Sequence, residues 1–306
     1  MNYIFGPVPS RRLGFSLGID IIPFKTCSLD CVYCQLGKTT CRTLKRKEWI
    51  RPESVLKELK KVLSEKKQID FITFSGSGEP TLNASLGQMI NDIKKICSIP
   101  VAVLTNSTLL YLPEVRKDLK EADLVVPSLD AVTPAVFNAI NRPHADLKLE
   151  TIIEGIKAFG QEFAGTLWLE VMIVKGINDT RDEFERIEKV IRQCRAHKIQ
   201  INTVTRPPAE EAVEPADKAA LQLARSIFGE QADLIEEFQK EKSTAEQAEL
   251  HEKIIELVRR HPDSCHHIGL CLGVSDAVAE EQLSGLLTEN KIIEIIHEGK
   301  KFYKVA

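Results

Sequence analysis

The stretch Leu17-Gly-Ile-Asp-Ile-Ile-Pro-Phe-Lys-Thr-Cys27-Ser-Leu-Asp-Cys31-Val-Tyr-Cys34 joins an apolar run of strand length to three cysteines within eight residues. Five further runs of the same kind follow it, at Ile69 to Phe74, Val101 to Thr105, Leu124 to Ser128, Leu167 to Val174 and Ile199 to Val204. Amphipathic stretches separate them. The first places Val55, Leu56, Leu59, Val62 and Leu63 on one face, and the second does the same with Leu86, Ile90, Ile93 and Cys97. Further helices are expected at Pro113 to Glu121, Leu149 to Phe163 and Asp182 to Ala196. Strands alternating with helices predict parallel pairing, and six such units predict an α/β fold, a partial (β/α)6 TIM-like barrel. In such barrels chemistry gathers at the C-terminal ends of the strands, which is where the three cysteines fall.

Composition agrees with a globular chain. Of 306 residues, 43% are hydrophobic and 28% charged, with a net charge of -3, which excludes a disordered, collagen-like or coiled-coil chain. The first residues lack a signal-peptide pattern and no apolar run reaches about 18 residues, so a cytoplasmic protein without a membrane span is expected. Eight cysteines in that setting read as ligands, nucleophiles or core fillers. Cys97 and Cys194 continue apolar helical faces and read as buried, inert thiols, whereas Cys41 lies in a basic loop just beyond Cys34.

Three thiolates cannot complete a four-iron cluster, which takes four, so one iron would keep an open position. Zinc with a fourth ligand from elsewhere is the competing reading, although the paired C-x2-C elements of zinc ribbons are missing.

Cys27-x3-Cys31-x2-Cys34, with aromatic Tyr33 before the last cysteine, resembles the signature of the radical S-adenosylmethionine (radical SAM) superfamily. The resemblance covers roughly residues 15 to 206. It includes Ser77-Gly78-Glu79-Pro80, which stands where the family carries Gly-Gly-Glu-Pro. It implies that Cys27, Cys31 and Cys34 are the metal ligands of a [4Fe-4S] cluster and that S-adenosylmethionine takes the fourth iron. Reductive cleavage would then give a 5'-deoxyadenosyl radical that abstracts hydrogen from a substrate. An electron donor such as flavodoxin or ferredoxin is implied as a partner. Cofactor-binding positions expected on this basis are Tyr33, Gly76, Ser77, Gly78, Glu79, Asn106, Ser128 and Asp130. For the last three, capping or an Asx turn competes with contact to ribose hydroxyls. Glu170 and Asn202 face into or out of the barrel according to register, and Arg11 and Arg12 either hold an anion or pair with acids across the barrel end.

Gly6 to Gly18, Asn141-Arg142-Pro143-His144, Lys175 to Asp179 and Arg206-Pro207-Pro208 are similar to a branch grouped with wyosine-type tRNA synthases, although the N-terminal cysteine set of those enzymes is missing. The substrate therefore stays open between a peptide, protein or small molecule and, as the alternative, a tRNA.

After Pro208 the chain turns Ala-, Glu- and Lys-rich, with a linking helix expected from Asp217 to Lys240. Helices at Glu246 to Arg260, at Cys265 to Leu272 and from Ser275, followed by a hairpin of Ile292 to Ile296 and Lys301 to Val305, read as a winged helix. The expected domains are therefore residues 1–243 and 244–306. Cys265, His266, His267 and Cys271 offer the right atoms for a metal, but a short helix there needs its apolar face for the core, so packing is the preferred reading.

Charge is uneven. Residues 1–67 hold 14 Lys and Arg against 6 Asp and Glu, and the loop from Lys38 to Arg51 suggests an anionic partner. Residues 245–306 hold 7 against 11, and the would-be recognition helix begins with Asp276, Glu280 and Glu281, which opposes a nucleic-acid role for the winged helix. A non-enzymatic metal-binding regulator built on that module is the third reading.

Overall fold

The computed structural model describes residues 3–65, 67–235 and 250–306. Strands β1 (Ile4–Ser10) and β2 (Gly14–Ile19) form an antiparallel hairpin, after which short β3 (Thr26–Cys27) and β4 (Cys41–Arg42) pair in parallel around the cysteine loop. Then come α1 (Pro52–Ser64), β5 (Phe71–Phe74), a 3-10 turn (Pro80–Leu82), α2 (Leu86–Ile96), β6 (Val101–Thr105), α3 (Pro113–Leu119) and β7 (Leu124–Pro127). The second half adds α4 (Pro134–Ile140), α5 (Leu149–Glu162), β8 (Thr166–Ile173), α6 (Arg181–Ile191), β9 (Lys198–Thr203), α7 (Lys218–Phe228) and β10 (Ala232–Leu234).

One eight-stranded sheet runs in the order β1-β2-β5-β6-β7-β8-β9-β10, antiparallel only at β1. All six expected strands are present, and the sheet is the open barrel that their pattern predicts. Two strands are added at its edges. Residues 4–14, outside every expected strand, supply β1 and the turn into β2; an edge strand tolerates Pro7 and Pro9, which cannot donate to a ladder. The linking helix is shorter than expected: Gly229 at φ +86° ends α7, and β10 follows.

Strand alternation sorts the side chains cleanly. On β8, Leu167, Leu169, Val171 and Ile173 are buried under the helices with Val103, Val125, Phe159 and Phe184. The intervening residues face the concave side, where Leu13, Ala102, Leu124, Val126 and Trp168 form a plug. Above the plug, the concave face turns polar, with Ser16, Thr73, Gln200 and Asn202 buried there. Glu170 is on this face, paired with Arg12, whose guanidinium burial pushes down to about 9; Arg11 donates to Thr205 Oγ1 at 3.2 Å. Of the two alternatives for these arginines, Arg12 takes the ion pair across the barrel end. Cys194 is buried and donates to Val190 O at 3.1 Å, while Cys97 is half-buried at the end of α2.

The C-terminal module contains α8 (Leu250–Arg260), α9 (Cys265–Leu272), α10 (Asp276–Thr288) and the hairpin β11 (Ile292–His297) and β12 (Lys300–Val305), as expected. Ser264 and Ser275 cap α9 and α10 by accepting from His267 N and Val278 N, and Gly273 in the left-handed region ends α9. Ile254, Val258, Ile268, Leu283, Leu286 and Ile292 form its own core. The expected boundary near residue 243, the end of the linking helix and the start of the helix from Glu246 lie outside the described residues. The module rests against the barrel: Arg260 stacks 4.2 Å from the Phe5 ring and reaches Asp20 Oδ2 at 3.4 Å. Among the described residues, no helix is long and apolar enough to cross a membrane.

Candidate active site

The chain leaves β2 at the top of the sheet and turns through Lys25, at φ +59°, into β3. Leu29 and Val32 are buried and pin the cysteine loop to the core, while its backbone is tied to the end of α4 by Val32 N to Ile140 O at 2.9 Å and Asp30 N to Asn141 O at 3.0 Å. Apolar anchors alternating with cysteines leave the three thiols half-buried on the opposite side of the loop.

Each thiol meets an N–H donor from a different segment. Asn106 Nδ2 is 3.3 Å from Cys27 Sγ, Asn141 Nδ2 is 3.4 Å from Cys31 Sγ and Lys25 Nζ is 3.6 Å from Cys34 Sγ. Donors aimed at three sulfurs suit sulfur that carries negative charge. Burial, with the Glu79 charge nearby, pushes the free Cys27 thiol up to about 12, and burial beside Asp130 holds Cys31 well above the ordinary thiol value. Such thiols ionise when a metal cation replaces their protons, so the donor set fits iron ligation.

The glycine-rich element after β5 is shaped by its neighbours. A Cβ on Gly78 would lie 1.9 Å from Thr26 O, since the two backbones form a bridge with Glu79 N donating to Thr26 O at 3.2 Å. Gly76 sits at φ +126°, exposed, with Asp20 where a Cβ would stand. Ser77 is buried, and both its N–H and its hydroxyl donate to Asp20 Oδ2.

Glu79 is buried, and its carboxylate is fully engaged by the protein. Oε1 accepts from Thr81 N at 3.1 Å, Thr81 Oγ1 at 2.6 Å and Thr105 Oγ1 at 2.6 Å, and Oε2 accepts from Asn106 N at 2.7 Å. Asp130 is likewise enclosed, taking Tyr33 Oη at 2.5 Å and Asn141 Nδ2 at 2.8 Å on Oδ2 and Met172 N at 3.0 Å on Oδ1. Burial outweighs these bonds and raises both carboxyls above their usual range. Glu79 thus aligns Asn106 over Cys27, and Asp130 aligns Tyr33 and Asn141 beside Cys31.

Asn106 and Ser128 are half-exposed above β6 and β7, and the Ser128 carbonyl accepts from Ser107 Oγ at 2.6 Å. The structure therefore gathers all eleven expected site residues around one loop. Lys25, Asn141 and Asp20 carry no sequence signal for their places; Asn141 had entered only through the Asn-Arg-Pro-His stretch. Three of the six cations of the basic loop meet carboxylates, Lys38 with Glu210, Arg46 with Asp118 and Arg51 with Glu48, while Arg42, Lys45 and Lys47 are exposed.

Comparison with known proteins agrees with this geometry. Residues 21–191, more than half of the chain, match the Radical SAM superfamily. The chain is 37% identical over 306 residues to a Brachyspira hyodysenteriae protein named GTPase Obg, covering 99% of this chain but only 45% of that protein, so it spans less than half of that relative's length. It is 35% identical over 311 residues to a UPF0026 protein of Methanocaldococcus jannaschii, covering 99% of this chain and 96% of that one. The structure of TYW1 with a lysine-pyruvate adduct shares the fold, at TM-score 0.52 and 17% identity over 73% of this chain and 75% of that one. With the UPF0026 proteins among its relatives, the chain belongs to the radical SAM superfamily, a class of enzymes that use an iron–sulfur cluster and S-adenosylmethionine.

Proposed function

We propose that Cys27, Cys31 and Cys34 hold a [4Fe-4S] cluster, that S-adenosylmethionine binds its open iron, and that the enzyme abstracts hydrogen from a peptide, protein or small-molecule substrate in the cytoplasm. The observation that carries this reading is the set of three half-buried sulfurs, each met by its own N–H donor, at the strand ends of the barrel. When bound, the group supplies one-electron cleavage of the sulfonium.

The chain's own residues supply position. Lys25, Asn106 and Asn141 stabilise negative charge on the sulfurs and so bear on the reduction potential. The exposed Gly76 backbone and the half-exposed Gly78, Asn106 and Ser128 offer polar groups to the nucleotide, while Tyr33, Ser77, Glu79 and Asp130 fix the loops that present them. Half-buried Arg12 and Glu170 and buried Gln200 and Asn202 line the concave face below and give a substrate polar partners out of bulk water. An electron donor of the flavodoxin or ferredoxin kind fits the cluster loop, where Cys41, Lys45 and Lys47 are exposed.

A polynucleotide at the C-terminal module is disfavoured by the exposed Asp276, Glu280 and Glu281 on α10. The test is anaerobic reconstitution followed by metal analysis and electron paramagnetic resonance. About four irons per chain and a signal altered by S-adenosylmethionine are expected. Zinc in place of iron, or a signal indifferent to the nucleotide, contradicts the proposal.

A further inference from the structure

Helix α9 divides its four metal-capable residues between two faces. Cys265 Sγ lies 3.5 Å from Asp276 O and His266 Nδ1 lies 3.0 Å from Asp276 Oδ2, toward solvent. His267 and Cys271, one turn apart, face the barrel side and meet Asp263, whose side chain is 2% exposed. His267 Nδ1 is 2.6 Å from Asp263 Oδ2 and 3.5 Å from Cys271 Sγ, and one ligand atom from each of the three lies within 4.8 Å of the others. His261 Nδ1 approaches the same Oδ2 at 3.7 Å, and this nitrogen is buried without a hydrogen-bond partner.

The tautomer decides what this cluster needs. His267 Nε2 is 3.2 Å from the Pro9 carbonyl, which only accepts, so Nε2 carries the hydrogen. Nδ1 then directs a lone pair at a carboxylate oxygen, and two lone pairs at that distance require a cation between them. A proton on Nδ1 would serve that pair alone, leaving the buried His261 nitrogen unpartnered. A nucleophile–base–acid relay is excluded, because Asp263 and Cys271 address the same ring nitrogen, whereas a relay needs opposite ones.

Second contacts orient the set. Asp263 Oδ1 accepts from Ser264 N at 3.0 Å and lies 3.6 Å from Arg206, which turns Oδ2 toward the imidazoles and keeps the guanidinium on the far oxygen. An imidazole that donates its other N–H to a backbone carbonyl is the usual support of a metal-bound histidine.

We propose that Asp263, His267 and Cys271, with His261 as the fourth donor, form a mononuclear Zn2+ site that fastens the C-terminal module to the barrel. One soft sulfur, two borderline imidazole nitrogens and one hard carboxylate oxygen form a mixed set that suits tetrahedral Zn2+, and a single sulfur does not support an iron–sulfur cluster. Tetrahedral zinc separates its ligand atoms by about 3.3–3.7 Å. The His267–Cys271 and His261–Asp263 spacings already match, the Asp263–His267 contact must open by roughly 0.7 Å, and the His261 ring, which lies outside the 4.8 Å trio, must turn in toward His267 and Cys271 to complete the set. The site reaches both parts of the molecule. His267 holds Pro9 of β1, and Arg206 bridges Asp263 to Gln35 Oε1, at 3.2 Å, beside Cys34.

Elemental analysis of the full-length protein after anaerobic purification and cluster reconstitution tests this. The wild type is expected to hold about one zinc per chain besides its iron. Cys271→Ser and the isosteric Asp263→Asn each lower zinc at least tenfold with iron unchanged, whereas Cys34→Ala lowers iron with zinc unchanged, so this site and the cluster fail separately. Metal-stripped protein given Co2+ alone shows tetrahedral d–d bands and thiolate charge transfer that Zn2+ bleaches and Cys271→Ser lacks. Wild-type protein with neither zinc nor cobalt bands, or Cys271→Ser and Asp263→Asn proteins that keep their zinc, overturns the proposal.

Discussion

Replacing Glu79 by Gln separates two roles that the same residue could fill. The carboxylate accepts four hydrogen bonds, two from backbone N–H groups, Thr81 N at 3.1 Å and Asn106 N at 2.7 Å, which reach opposite oxygens. A carboxamide has one acceptor oxygen, so in either orientation its NH2 faces one of those N–H groups. The Thr81 and Thr105 hydroxyls can reverse and accept, but a backbone N–H cannot. One buried donor is left unsatisfied, at about 1–3 kcal/mol, and relief of carboxylate burial offsets part of the lost charge-assisted bonding. A net loss of about 2 kcal/mol lowers Tm by about 4–8 °C in a domain of this size. The assay is anaerobic thermal unfolding of the cluster-free protein, with S-adenosylmethionine affinity of the reconstituted enzyme measured alongside. A Tm that does not move while nucleotide affinity drops tenfold or more would refute the clamp and make Glu79 a direct ligand of the nucleotide.

Other substitutions probe neighbouring contacts. Gly78→Ala drives a Cβ to 1.9 Å from Thr26 O and 2.7 Å from Ile22 Cγ2, so backbone must shift; at least about 2 kcal/mol of stability should be lost, with iron loading falling in parallel on metal analysis. Arg260→Met removes the cation beside half-buried Asp20, which keeps its bonds from Ser77, and should cost about 1–3 kcal/mol in chemical denaturation; combined with Asp20→Asn the losses should be less than additive, and strict additivity would deny the pairing. Iodoacetamide at pH 8 should label exposed Cys41 in the native protein and spare Cys194, whose thiol burial pushes up to about 11. The thiolate is the reactive form, so Cys194 labelling should rise about tenfold per pH unit toward 11; equal labelling of both at pH 8 would contradict the burial.

The parts of the fold carried by local pattern were legible in the sequence. Apolar runs of strand length at β2, β5, β6, β7, β8 and β9, and the capped helices α9 and α10 of the C-terminal module, are properties of short windows, and the structure has an element at each, with β2 three residues earlier than the run at Leu17 to Ile22. Strand β1 was hidden because Gly6, Pro7 and Pro9 are turn residues anywhere except at a sheet edge, and β10 has only three residues. The cysteine triad was legible for the same local reason. Its supports were not: Asn141 meets Cys31 across 110 positions of sequence and Arg260 meets Asp20 across 240, and only tertiary packing brings such pairs together. Sequence also assigns Glu79 and Asp130 by type, as polar groups near a ligand, whereas the structure encloses both carboxylates in protein hydrogen bonds.

The most direct test is the yield of 5'-deoxyadenosine from anaerobically reconstituted, chemically reduced protein given S-adenosylmethionine. Wild-type protein and Cys194→Ala should both form it, while Cys27→Ala, Cys31→Ala and Cys34→Ala should each form none above the protein-free background. A wild-type sample that carries a full iron complement and yields no 5'-deoxyadenosine, or a Cys27→Ala, Cys31→Ala or Cys34→Ala sample that yields as much as the wild type, would contradict the account.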